Sequence, residues 1–216
     1  NKMKKVYDIN TWEEVLSNLP QAYKEWFLAE GKYLRENITK NAKVLEVGCG
    51  EGRSIKDILP ITKNITGIDI DIEAIEKTKK IFKNYSKIKM LVMDGTNLSF
   101  ENNSFDYVLC MTTFANFGDK KYKILEEMRR VVRKEGFIII SVFSESAFDY
   151  RMALYKKINF PLKKIEGTTV FYDTKHDLGI SEQFSEKELR NIFEKIKLKI
   201  VEIIKLNMAY ICKLNK

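Results

Sequence analysis

Val44-Leu45-Glu46-Val47-Gly48-Cys49-Gly50-Glu51-Gly52-Arg53 is an apolar run that stops at alternating glycines and passes into a stretch carrying Ile55, Ile58 and Leu59 before Pro60. The run reads as a buried strand and the stretch beyond it as a helix. Glycine lets the backbone turn tightly and approach a ligand closely, and the amides of a helix start favour a negative group beside them. Such a bend also occurs with no ligand, so the surrounding residues have to decide.

Working outward, further β-rich runs read as strands: Lys43 to Val47, Ile65 to Ile70, Ile88 to Met93, Asp106 to Met111 and Gly136 to Phe143. Helices lie between them, marked by Ile72, Ile75 and Phe82, and by Leu125, Met128 and Val132 before Gly136. Alternation of this kind predicts parallel strands with right-handed crossovers, helices on both faces and ligand sites at the strands' carboxyl ends. Upstream, Thr11 with Glu14 forms a capping-box pattern, and Tyr23, Trp26, Phe27, Leu34 and Ile38 recur at helical spacing.

Downstream, Ser185 with Glu188 opens a last helix carrying Leu189, Ile192, Phe193 and Ile196, followed by strands Leu198 to Ile204 and Ala209 to Leu214. Too few residues join these two strands for a crossover, so they are antiparallel. Thr168 to Asp173 and Gly179 to Phe184 flank the turn-like Thr174-Lys175-His176-Asp177 and suggest an inserted hairpin. The expected fold is α/β: a Rossmann-like, doubly wound sheet of seven strands, mostly parallel with an antiparallel C-terminal strand, plus N-terminal helices and the hairpin. One domain over 1–216 is expected. It divides into a helical cover (1–40), a ligand-binding core (41–145), a substrate-side insertion (146–184) and a closing helix with antiparallel strands (185–216).

The 216 residues are enough for one well-buried core, and 44% hydrophobic with 31% charged residues is ordinary globular composition. The net charge of +8 raises an anionic-polymer partner. Yet the lysines and arginines lie mostly in predicted helices among Glu and Asp, the pattern of a solvated face. Cys49, Cys110 and Cys212 form no CxxC pair and leave an odd count, against a disulfide framework or a metal site. The first residues lack an apolar segment and the longest apolar run, near Phe137 to Phe143, is too short to span a bilayer. A soluble, unexported cytoplasmic protein without a membrane partner is expected.

Two acids at strand ends sharpen the reading. Asp69 ends the second strand roughly 20 residues after the glycines, where a carboxylate accepts from both hydroxyls of a ribose. Asp94, followed by Gly95, ends the third and can accept from an exocyclic amine such as adenine's. One adenosine satisfies both. A nicotinamide dehydrogenase is the competitor, but its fingerprint needs a third glycine at the place held by Arg53, and the antiparallel terminal pair has no role in that fold.

At these residues the chain resembles the class I S-adenosylmethionine-dependent methyltransferases, in particular methyltransferase type 11-like domains. The resemblance covers roughly residues 40 to 145 plus the terminal strands. Glu46 to Gly52 is similar to the family's first motif, Gly67-Ile68-Asp69-Ile70 to its ribose-binding acidic loop, and Asp94 to Phe100 to its adenine-binding loop. Phe105 to Cys110 is similar to its fourth strand, and Leu125 to Gly136 to the helix and turn before its fifth. The resemblance implies S-adenosyl-L-methionine as cofactor and S-adenosyl-L-homocysteine as product. It implies that Glu46, Gly48 and Gly50 hold the methionine end, Asp69 the ribose, Ile70 the adenine face, Asp94 and Gly95 the adenine edge, and that the backbone at Met111 faces the methionine amine. For the side chains of Ile70 and Met111, plain core packing is an equal alternative.

A methyl group on a sulfonium leaves a neutral thioether behind, so direct displacement needs mainly a nucleophile held in line. His176, the single histidine, is a candidate base, with Tyr172 and Glu182 as weaker ones; an exposed turn is the ordinary setting for His176. Trp12, Tyr23, Trp26, Phe27, Phe148, Met152 and Tyr155 are candidate aromatic and apolar covers or, for most of them, core residues. No Asn-Pro-Pro-Tyr-like segment follows the fourth strand and no added RNA-binding module is present, so a small-molecule acceptor is favoured over RNA or protein. A module that binds the cofactor without transfer is the remaining alternative. A monomer and a homodimer are equally compatible with the sequence.

Overall fold

The computed structural model describes residues 19–173 and 178–216. Helix α1 (Gln21–Asn37) precedes strand β1 (Val44–Val47), α2 (Arg53–Ile58), β2 (Ile65–Asp69), α3 (Ile72–Ile81), β3 (Lys89–Val92) and β4 (Phe105–Met111). After two short 3₁₀ turns come α4 (Lys121–Val131), β5 (Val132–Phe143), α5 (Phe148–Lys157), the strands β6 (Leu162–Glu166), β7 (Thr169–Asp173) and β8 (Leu178–Ser181), then α6 (Glu186–Lys195), β9 (Lys199–Lys205) and β10 (Ala209–Asn215). The pattern Thr11/Glu14, Trp12 and His176 lie outside the described residues.

Seven strands form the main sheet in the order β3-β2-β1-β4-β5-β10-β9. β1 pairs in parallel with β2 through Val44–Ile65 and with β4 through Val44–Tyr107. β10 runs antiparallel to both β5 and β9, so it alone opposes the other six. The expected Rossmann-like sheet is the sheet observed. All four residues of β1 are buried, as a central parallel strand covered by helices on both faces requires. Side chains alternate between two cores: Leu45, Val47, Val108 and Cys110 face one, while Val44, Tyr107 and Leu109 face the other.

Helix α1 lies close against α2 because Gly31 has no side chain: a Cβ there would stand 2.8 Å from the Asp57 carboxyl carbon. The Asp71 carboxylate caps α3, accepting from the amides of Glu73 (2.8 Å) and Ala74 (3.2 Å), and Ser185 with Glu188 forms the capping box of α6.

Two expectations are corrected. Val132 is the first residue of β5 and not the last of a helix; the strand begins four residues before Gly136. A Cβ at Gly136 would lie 2.5 Å from the Asp106 carbonyl oxygen, so this glycine lets β5 pass close to β4 where the register shifts between the Phe105–Val132 and Tyr107–Phe137 pairs. The inserted hairpin is a three-stranded sheet, β6-β7-β8, because Leu162–Glu166 pairs antiparallel with β7. Every residue of β6 is exposed, which leaves no apolar alternation to mark it.

This small sheet stands over the carboxyl edge of the main one. The Glu182 amide donates to the Ala115 carbonyl (2.8 Å), and Ser144 bridges Phe184. Arg151 of α5 is fully buried and donates to the carbonyls of Thr168 (3.2 Å) and Ser181 (2.8 Å) and to the Gln183 amide oxygen (3.1 Å). One guanidinium thus ties α5 to the end of the β7–β8 pair where β7 begins and β8 finishes.

Candidate functional site

The sheet order reverses between β1 and β4, and that reversal opens the crevice where α/β folds take ligands. On its β1 side the amides of Gly48 (2.8 Å) and Cys49 (3.0 Å) donate to the Ile68 carbonyl, stitching the bend to β2. Gly48 and Gly50 both have left-handed backbone, φ 73° and 48°. Their surroundings differ. A Cβ on Gly48 would meet the Thr113 methyl at 2.4 Å, whereas a Cβ on Gly50 would meet nothing within 4 Å. Gly48 is demanded by protein packing; Gly50 borders open space in which another molecule can lie against the backbone.

Asp69, at the end of β2, accepts from the Gly50 amide (2.9 Å) with Oδ2 and from the Asp71 amide (3.0 Å) with Oδ1. Burial pushes its carboxyl up from the ordinary range, while these amides pull it back. Beside it, Ile70 is 74% exposed, so core packing does not account for this side chain. Asp94 is exposed and accepts from the Thr96 amide and hydroxyl, both at 2.8 Å, which hold its carboxyl below the usual range. Gly95 is buried against Val47. Met111, the last residue of β4, has its side chain in the core.

Glu46 lies under the glycine bend, 1% exposed. The Ser54 hydroxyl donates to Oε1, and among the described residues Oε2 has no hydrogen-bond partner. Burial pushes this carboxyl up to about 8, opposed by Ser54 and Arg53. An unpartnered buried carboxylate oxygen invites a cationic donor such as an ammonium group.

Glu46, Gly48, Gly50 and Asp69 therefore converge at the ends of β1 and β2, with Asp94 and Gly95 just beyond the end of β3 and Met111 at the end of β4, the strand beside β1. The weaker base candidates lie on the insertion. Glu182 is ion-paired with Lys121 at 3.2 Å. Tyr172 packs edge-on to Phe160, with ring centroids 5.0 Å apart, and burial pushes its phenol up, so it stays protonated near neutrality.

Sequence reasoning missed a polar cluster over the same strand ends. Trp26 Nε1 donates to Ser141 Oγ (2.8 Å); the buried Glu30 carboxylate pairs with Arg53 Nη2 (2.6 Å); and Nη2 also donates to Thr112 Oγ1 (3.0 Å). Thr112 has φ 72°, a strained value for a β-branched residue. Glu30 carried a signal: it falls four residues after Trp26 and four before Leu34, a charge on the apolar stripe of α1.

Residues 45–140 match the family described as a methyltransferase domain. Residues 45–140 thus form a methyltransferase domain of the S-adenosylmethionine-dependent kind. Its cofactor is S-adenosylmethionine, and the open flank of Gly50, the exposed Ile70 and the orphan oxygen of Glu46 fit that molecule's backbone contact, flat base and ammonium. The methyltransferase is 27% identical over 205 residues to an uncharacterised protein of Methanocaldococcus jannaschii, covering 88% of this chain and 76% of that one. It is 31% identical over 132 residues to demethylmenaquinone methyltransferase of Staphylococcus aureus, covering 58% of this chain and 54%, about half, of the relative. It shares its fold with an S-adenosylmethionine-dependent methyltransferase from Methanosarcina mazei, at TM-score 0.67 and 19% identity over 85% of this chain and 96% of that one. Among the described residues no helix is long and apolar enough to cross a membrane.

Proposed function

We propose that this methyltransferase delivers the methyl group by direct displacement to a small-molecule acceptor bound between α1, the end of β5 and the small sheet. The observation that carries the reading is the aromatic closure above the crevice. Trp26 and Tyr23 of α1 pack on Phe143 at the end of β5, with centroids 5.1 and 6.1 Å apart, and the β6–β8 sheet covers the loop after β4. Rings packed over the strand ends suit a compact, partly apolar molecule better than a duplex.

In this reading Glu46, Gly48 and Gly50 hold the methionine end, and the Met111 backbone faces its ammonium. Asp69 takes the ribose hydroxyls on lone pairs left over from its two amide bonds, Ile70 lies on the adenine, and Asp94 with Gly95 meets the adenine edge. The cofactor supplies an electrophilic methyl and a neutral leaving group. The chain's own work is positioning, which in favourable cases is worth about 7 kcal/mol or more. Of the base candidates among the described residues, Tyr172 stays protonated and Glu182 is held by Lys121, which leaves His176 as the candidate base where an acceptor needs one.

Along the helices the basic residues are interleaved with acids, as in the Lys32–Glu36, Lys79–Glu76, Lys123–Glu126 and Arg190–Glu186 pairs, the pattern of a solvated face. The name of the Staphylococcus relative, an enzyme acting on demethylmenaquinone, supports an acceptor of that size. The free thiols of Cys49, Cys110 and Cys212 suit the cytoplasm. The test is release of S-adenosylhomocysteine across quinols, phenols, amines and thiols, with RNA and protein in parallel. Turnover with a small acceptor is expected. Turnover with RNA or protein alone would overturn the acceptor class, and cofactor binding without turnover on any acceptor would favour a silent module.

A further inference from the structure

Glu46, Gly48 and Gly50 leave one charge of the cofactor's methionine end without a counterpart, its carboxylate. The crevice is rich in acids: Glu30, Glu46 and Asp69 all lie at or under it. A ligand carboxylate entering among them requires a cation. Arg53, first residue of α2, is the cation whose charge acts on both Glu30 and Glu46.

Its guanidinium is fixed on three sides. The Phe27 ring lies 4.0 Å from its central carbon, Glu30 Oε2 2.6 Å and Thr112 Oγ1 3.0 Å from Nη2. Thr113 Oγ1, next in the chain, donates to the Gly48 carbonyl at 2.8 Å, so the guanidinium sits at the junction of the glycine bend and the end of β4. Its second arm is different: Nη1 is buried and, among the described residues, has no hydrogen-bond partner, although 28% of the side chain is exposed. A guanidinium already oriented by one carboxylate, with its other arm buried and unmatched, is prepared for a second carboxylate.

We infer that Arg53 binds the methionine carboxylate of S-adenosylmethionine through its Nη1 arm, with Glu30 fixing the guanidinium for that contact. The inference rests on the cofactor placement proposed above. It assigns Glu30 a positioning role, since Glu30 acts through Arg53 and is itself fully buried.

Paired ligands provide the test. S-adenosylmethionine and its decarboxylated form differ only in this carboxylate, and the decarboxylated form carries one more net positive charge, which an acidic crevice by itself favours. Calorimetry on the parent chain is expected to show the opposite preference, for the carboxylated ligand. In Arg53→Met that ligand loses roughly 30-fold in affinity, while the decarboxylated one changes by less than about 3-fold. Arg53→Lys recovers part of the preference. Because Arg53→Met strands Glu30 in the core, the double variant Glu30→Gln with Arg53→Met removes both charges and is expected to show the same lost preference. A preference that survives in these variants, or equal losses for both ligands, overturns the assignment alone. A parent chain that binds neither ligand overturns the cofactor placement and this inference with it.

Discussion

Asp69 Oδ2 accepts from the Gly50 amide at 2.9 Å, so the acid that ends β2 is tied to the glycine bend that ends β1. The acid's other oxygen holds the Asp71 amide, and Asp71 in turn caps α3. A single carboxylate therefore sets the relative positions of the proposed ribose acceptor and of the glycine backbone proposed to lie against the methionine end.

Asp69→Ala removes that link together with the two proposed ribose contacts. Calorimetry with S-adenosylhomocysteine is expected to show affinity down by about 100-fold, on the order of 2–3 kcal/mol for hydrogen bonds to a charged group. Asp69→Asn recovers little, because its NH2 must face one of the two amides. Parent-like affinity in Asp69→Ala would remove the basis for placing the cofactor here.

Thr112 offers a test of strain. Alanine at this position keeps the unfavourable φ of 72° and loses the hydroxyl that accepts from Arg53, whereas glycine loses the same hydroxyl but tolerates the backbone. Urea unfolding should therefore rank Thr112→Gly above Thr112→Ala by about 1 kcal/mol, the penalty of a left-handed residue with a Cβ. The reverse order would mean that the backbone at the end of β4 is relaxed.

The sequence carried the main sheet because its central strands are buried on both faces and read as apolar runs, as in Val44–Val47. It carried Glu46, Gly50 and Asp69 because parallel topology brings strand ends together whatever their separation in sequence. It did not carry β6, whose side chains all meet solvent, nor the start of β5, where helix passes into strand at Val131–Val132 without a turn residue. Thr112 has no signal either, since left-handed backbone is normally announced by Gly or Asn. The Arg53–Glu30 pair joins two helices and is visible only once Gly31 lets them approach.

Glu46 makes stability depend on pH with a defined sign. Its carboxyl moves from the ordinary 4.5 to about 8 in the fold, so between these values the folded chain holds a proton that the unfolded chain has released. The stability this group contributes is complete below the lower value and is lost as pH rises toward the upper one. Glu30 and Asp69 are shifted in the same direction, so the readout is the difference between the parent and Glu46→Gln. Urea midpoints from about pH 5 to about pH 8 should fall less steeply in the variant, a tenfold change in proton affinity being worth about 1.4 kcal/mol. An ammonium group beside Glu46 favours the ionised form, so binding of S-adenosylmethionine near neutrality should release a proton, seen as buffer-dependent heat in the parent and absent in Glu46→Gln. Identical pH slopes in the two proteins would contradict the raised carboxyl.

Arg151 tests whether the small sheet belongs to the acceptor side. Its guanidinium joins α5 to Thr168, Ser181 and Gln183, while its flat face lies 4.7 Å from the Phe143 ring at the end of β5. Arg151→Met keeps the stem and strands two carbonyls and an amide oxygen, lowering stability by about 2–4 kcal/mol in urea unfolding. Arg151→Lys should not rescue, since one ammonium cannot span three acceptors spread over two segments. Limited proteolysis should then cut first within 162–181. If that sheet covers the acceptor, KM for the acceptor rises while affinity for S-adenosylhomocysteine, held by the ends of β1 to β4, stays at the parent value. Parallel loss of both would mean that the small sheet supports the whole crevice, and an unchanged proteolysis pattern would show that Arg151 is not what holds it down.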